Sequence, residues 1–202
     1  MQQQTQVRKY EHWNPKHDGK VSRYRKEGKK LSPLTDKDFI DGMESGYFVQ
    51  EGHKAFVALL YYTAVRKSEA LRATREQFQI TKKDLVFSVG KRLKHGIETP
   101  PLKIPLAAPY VDLIVQAIND TKQGEVDFRY VFPYSKKTGY NIVARCFSYP
   151  HFFRLSRITN FFLEGWTIAQ VHSWTGLTLK ALDYYIGLVD IDKMGKSLYK
   201  QD

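Results

Sequence analysis

Residues 149–166 read YPHFFRLSRITNFFLEGW, and a single helix accounts for the pattern. Pro150 suits a first helical turn, where its missing N–H is not needed. Leu155, Ile158 and Phe162 recur at helical spacing and form a stripe for burial, while His151 and Arg154, three residues apart, share one flank. An arginine fork and an imidazole donor held side by side make a phosphate clamp. Ordinary helix surfaces carry such pairs too, so the motif gains meaning only from its surroundings.

Downstream, residues 167–174 and 179–186 are expected to form two more helices, the second reading LKALDYYI. Its adjacent Tyr184 and Tyr185 point about 100° apart, so only one of them can face a given pocket. Beside Leu179, Leu182 and Ile186, a tyrosine pair by itself reads as core or core edge. Upstream, helices are expected over 141–147 and from Pro109 to Ile118, with the aromatic run YVFPY between them. QFQI, LVFSV and PLKIPL are rich in β-branched and aromatic residues and predict two or three antiparallel strands. Lys91, Arg92, Lys94 and His95 crowd the connection between two of them, where lysines either keep a sheet edge soluble or reach a polyanion.

Further upstream, HKAFVALLYYTAV predicts a strongly apolar helix, and LSPLTDKDFIDGMES another, with Thr35 or Asp36 as its N-cap. In TAVRKSEALRA, Arg66 follows the buried helix and Ser68 can cap the next one. Alone, Arg66 reads as a surface arginine at a tight turn. The fold class is α+β, mainly helical with a small antiparallel sheet.

The chain has 202 residues, 42% of them hydrophobic, enough for one domain with a substantial core. Its net charge of +11 makes a polyanion the default partner, nucleic acid before an anionic membrane. Residues 1–30 hold nine Lys or Arg against three acids and so carry +6 of that charge. We divide the chain into a basic arm over 1–32, a folded domain over 33–189 and a tail over 190–202. No apolar run approaches the roughly 20 residues that span a bilayer, and MQQQTQVRKY lacks the apolar centre of a signal peptide. With Cys146 as the lone cysteine, no internal disulfide or Cys-based zinc site can form, which fits the reducing cytoplasm. No Asp, Glu and His cluster has metal-ligand spacing, so a two-metal nuclease is a poor reading and no metal or cofactor is expected.

Order and spacing combine these fragments. Arg66 in R-x-S-E after a buried helix, a lysine between strands, H-x-x-R opening a helix, and a tyrosine 34 residues beyond that histidine resemble the catalytic domain of the tyrosine recombinases, or phage-type integrases. The resemblance spans about residues 33–189. It implies that fold, and assigns Arg66, Lys94, His151, Arg154 and Tyr185 as catalytic. The family ending falls on Leu179, Leu182 and Tyr185, which selects Tyr185 over Tyr184 as nucleophile. The family's sixth group has no direct match: the position nine residues before Tyr185 is Gly176, and Trp174 or His172 is the candidate substitute. Ala64 stands where a glycine commonly precedes the first arginine by two. Within these 202 residues the basic arm stands where the family's core-binding domain is expected.

The resemblance further implies double-stranded DNA as partner, with Lys91, Arg92, Arg157, Arg23 and Arg25 as DNA-binding residues, self-association on DNA, and no membrane role. It implies a cytoplasmic, nucleoid-associated recombinase of a mobile element, virus or plasmid, working through a 3′-phosphotyrosyl intermediate without metal or cofactor. Two alternatives stay open: a DNA-binding accessory protein of the same fold with cleavage impaired, and a topoisomerase-like relaxing activity.

Overall fold

The computed structural model describes residues 33–48, 50–89, 100–121, 129–145, 147 and 149–186. The expected arm and tail lie outside the described residues, as do Arg23, Arg25, Lys91, Arg92, Lys94 and His95.

Helix α1 spans Asp36–Met43, and of the two N-cap candidates Thr35 takes the role. Its hydroxyl accepts the Asp38 N–H at 3.1 Å while the Asp38 carboxylate accepts the Thr35 N–H at 3.2 Å, a reciprocal capping box. Helix α2, Glu51–Thr63, is the centre of the molecule. Ala55 through Leu60 are all fully buried, as an all-round apolar sequence requires. Around it lie the short α3 (Lys67–Ala70), α4 (Val111–Asp120), α5 (Lys136–Ala144) and α6 (Pro150–Leu163), all of which pack on α2 directly. Helices α7 (Ile168–Thr175) and α8 (Leu179–Ile186) pack on α6 and on each other.

The expected strands form one antiparallel sheet in the order β1 (Phe78–Ile80), β2 (Asp84–Phe87), β3 (Leu102–Pro105). Its register pairs Leu85 with Ile104 and Phe87 with Leu102, and these four side chains are buried. Strand alternation therefore gives one face to the core, and β3 packs against α2. Aromatic contacts tie α1 to the rest: Phe39 stacks on Tyr61 with centroids 3.9 Å apart, and the Tyr61 hydroxyl donates to Asp36 at 2.5 Å.

Three boundaries differ from expectation. The helix expected over 141–147 begins earlier, at Lys136, because the Ser135 hydroxyl accepts the Thr138 N–H at 3.0 Å and caps it there. The helix expected from Pro109 begins at Val111 after Tyr110, which holds the left-handed backbone conformation at φ 64°. Ser68 is not a cap but lies inside α3, whose N-cap is Arg66. Among the described residues, no helix is long and apolar enough to cross a membrane.

Gly139 lets α5 approach the core closely. A Cβ built there would meet the Leu71 methyls at 3.2 and 3.3 Å and the Phe56 ring at 3.4 Å. Gly139→Val is expected to push α5 from α2 and α3 and to lower stability by about 1–3 kcal/mol in urea unfolding.

Candidate active site

Arg154 was expected on the helix flank beside His151. It is instead one of the most deeply buried side chains, at 2% exposure. Its guanidinium lies between two helix C-termini. Nη1 donates to the Ala64 carbonyl at the end of α2, at 2.5 Å, and Nη2 donates to the Thr175 carbonyl at the end of α7, at 3.3 Å. Helix C-termini carry partial negative charge, so both ends stabilise the cation that burial disfavours. Burial pushes the guanidinium pKa down; the Tyr185 phenol acts against this, Arg66 adds to it, and Glu69 again opposes it. Tyr185 raises the Arg154 pKa both electrostatically and as a hydrogen-bonding group, which places its phenol beside Arg154.

Arg66 reaches the same place from the turn after α2. Its backbone N–H donates to Glu69 Oε2 at 2.6 Å, and its Nη1 pairs with Glu69 Oε1 at 3.0 Å. Glu69 thus caps α3 and orients the arginine at once. The R-x-S-E spacing holds this signal, since a carboxylate at the third helical position reaches back to the N-cap. Unlike Arg154, the Arg66 side chain is 55% exposed.

His151 occupies the first turn of α6, after Tyr149 as N-cap and Pro150. Loss of solvent around the ring, followed by the Arg154 and Arg66 charges, lowers its pKa from the ordinary 6.5. The residue as a whole remains exposed, so the two guanidinium groups are the cause that the geometry supports most directly. Its imidazole is therefore neutral at neutral pH, able to accept a proton from a neighbour.

Tyr185 is buried at 5% exposure, and Tyr184 lies edge-on to it with centroids 5.5 Å apart and is half-buried. Arg66, His151, Arg154 and Tyr185 thus meet in one site although they come from three separate parts of the chain. The other expected residues among those described have partners of their own. Trp174 packs edge-on against Phe161 and Trp166, each at 5.7 Å, and His172 Nδ1 pairs with the Leu177 carbonyl across the turn into α8. Arg157 stacks over the Phe161 ring at 4.6 Å and pairs with Glu164 at 3.3 Å. These contacts lie within the α6–α8 part of the molecule. Among the described residues, no three His, Cys, Asp or Glu side chains are grouped to hold a metal ion.

No family model and no curated protein sequence matches the chain. In structure it is similar to XerA recombinase, with a TM-score of 0.59 over 89% of this chain and 70% of that one, at 15% identity. The mostly helical architecture with its small antiparallel sheet is therefore a recombinase-like fold.

Three outcomes test this geometry. Arg154→Ala leaves two carbonyls unpaired beside a cavity and is expected to cost about 2–4 kcal/mol in chemical denaturation. Arg66→Ala, at an exposed ion pair, should change stability by less than about 1 kcal/mol. For His151, a native pKa below the unfolded value means stability that is complete above pH 6.5 and lost as the pH falls through the native pKa. Wild type should therefore lose more thermal stability than His151→Gln as the pH is lowered from about 7 to 5, and equal losses would exclude the shift.

Proposed function

We propose that the protein is a site-specific DNA recombinase that cleaves and rejoins strands through a 3′-phosphotyrosyl bond. The observation that supports this best is the meeting of a tyrosine hydroxyl with two arginines and a neutral histidine on a recombinase-like fold. A free tyrosine hydroxyl, with a pKa of about 10, attacks a phosphodiester only if its proton is removed as the bond forms.

Here Arg66 and Arg154 clamp the non-bridging phosphate oxygens and neutralise the charge that develops on them. Arg154 has five N–H donors, so the two bonds to carbonyls leave others to direct at the phosphate and Tyr185. His151 accepts the Tyr185 proton. The Tyr185 oxygen bonds to phosphorus, the bond to the 5′-oxygen breaks, and Lys94 donates the proton that makes the leaving group a 5′-hydroxyl. Attack by a 5′-hydroxyl of another strand reverses each step. One phosphoester replaces another, so no nucleotide hydrolysis is needed. Double-stranded DNA is the substrate, and exchange between two duplexes calls for more than one copy of the chain on DNA. The role of Lys94 comes from the resemblance.

One observation favours the accessory-protein reading: Gly176, which has no side chain to offer, stands nine residues before Tyr185 where the family has its histidine. A DNA substrate nicked near the scissile phosphate separates the readings. A covalent protein–DNA band should form with wild type and with Tyr184→Phe and vanish with Tyr185→Phe, while DNA binding survives. Lys94→Ala should slow cleavage greatly and be rescued by a 5′-thiol leaving group, which departs without a proton. Absence of any band with wild type on its own recombination site would establish the accessory role.

A further inference from the structure

The two turns that hold Arg154 are built alike. Thr63 closes α2 and Thr175 closes α7, at 1% and 2% exposure. Each hydroxyl donates to the carbonyl four residues back, that of Leu59 at 2.5 Å and that of Val171 at 2.6 Å. Each also accepts the N–H two residues ahead, from Val65 at 3.4 Å and Leu177 at 3.2 Å. Between the threonine and that N–H stands a left-handed residue, Ala64 at φ 53° and Gly176 at φ 62°. Their own N–H groups donate to the carbonyls of Leu60 at 3.2 Å and His172 at 2.8 Å.

What leaves each turn is part of the site. The first presents the Ala64 carbonyl to Arg154 and, two residues on, delivers Arg66. The second presents the Thr175 carbonyl to the same guanidinium and leads into the helix that carries Tyr185. A chain leaving a left-handed residue swings widely with small changes of dihedral angle. A hydroxyl bonded on both sides of that residue limits the swing.

We infer that Thr63 and Thr175 are positioning residues of the phosphate site. Their hydroxyls fix the turns that aim two carbonyls at Arg154, and thereby set Arg66 and Tyr185 against it. The inference rests on the recombinase reading for its effect on rate, and on geometry alone for its effect on Arg154. The competing account is ordinary capping, in which the hydroxyls contribute stability and nothing else.

Thr63→Val and Thr175→Val remove the hydroxyl and keep the shape; Thr→Ser at each position keeps the hydroxyl. Thr159→Val is the control, since its buried hydroxyl on α6 has no hydrogen-bond partner. Each protein is measured in its folded range for DNA affinity, single-turnover adduct formation on the nicked substrate, and hydrogen exchange of the Arg154 guanidinium by NMR. The Val variants should lose about ten- to a hundredfold in adduct rate at unchanged DNA affinity, with faster Arg154 exchange. The Ser variants should recover both, and Thr159→Val should alter neither. Val variants that melt earlier yet match wild type in rate and exchange while folded would reduce the threonines to ordinary caps. If wild type forms no adduct, the recombinase reading fails separately and Arg154 exchange decides: unchanged exchange overturns the inference, faster exchange sustains it. If one Val variant does not fold, the other carries the test, because the two turns make the same claim.

Discussion

A guanidinium removed from water loses several kcal/mol of hydration, and Arg154 recovers it from backbone. The Ala64 and Thr175 carbonyls, at the ends of α2 and α7, receive its hydrogen bonds. Each belongs to a helix terminus whose last carbonyls have no intrahelical partner and whose dipole is negative there. Donor and acceptors satisfy one another, so three helices are joined at one charge. Because α2 is also the helix on which α3 to α6 pack, the same junction fixes the candidate site to the centre of the core.

The two arginines consequently have different physical characters. Arg154 is immobilised by its burial and its carbonyl partners, and in the proposed reaction it would act as a preorganised charge that needs no reorganisation when a phosphate arrives. Arg66 is exposed and oriented by one carboxylate, so in the proposed reaction its guanidinium would exchange Glu69 for a phosphate oxygen. His151 lies close enough to both for their charges to disfavour its protonation. A bound phosphate would offset those charges, linking the proton affinity of the histidine to occupancy of the site.

The framework around the site is aromatic. Phe161, Trp166 and Trp174 form one cluster and hold α6 to α7, with Arg157 lying over Phe161. Phe39, Tyr61 and Phe147 hold α1 to the core. These rings contribute large buried areas with few rotatable bonds, which suits elements that must hold their position.

Sequence alone determined the helical class, a small antiparallel sheet of two or three strands and an N-cap at Thr35 or Asp36, because periodicity and caps are local signals. The grouping of Arg66, His151 and Arg154 came from the family resemblance. Three features were decided by tertiary structure. The burial of Arg154 was not legible, since helical periodicity counts arginine as a polar flank and its two carbonyl partners lie 90 and 21 residues away. The Arg66 cap, by contrast, is a local feature of R-x-S-E, since the Glu69 carboxylate reaches back three residues to the Arg66 N–H. Arg157, on the same helix as Arg154, pairs with Glu164, a contact fixed only by where α6 ends. The two threonine turns carry no distinctive motif, and their importance comes from converging on one guanidinium, a relation between distant helix ends that no local pattern encodes.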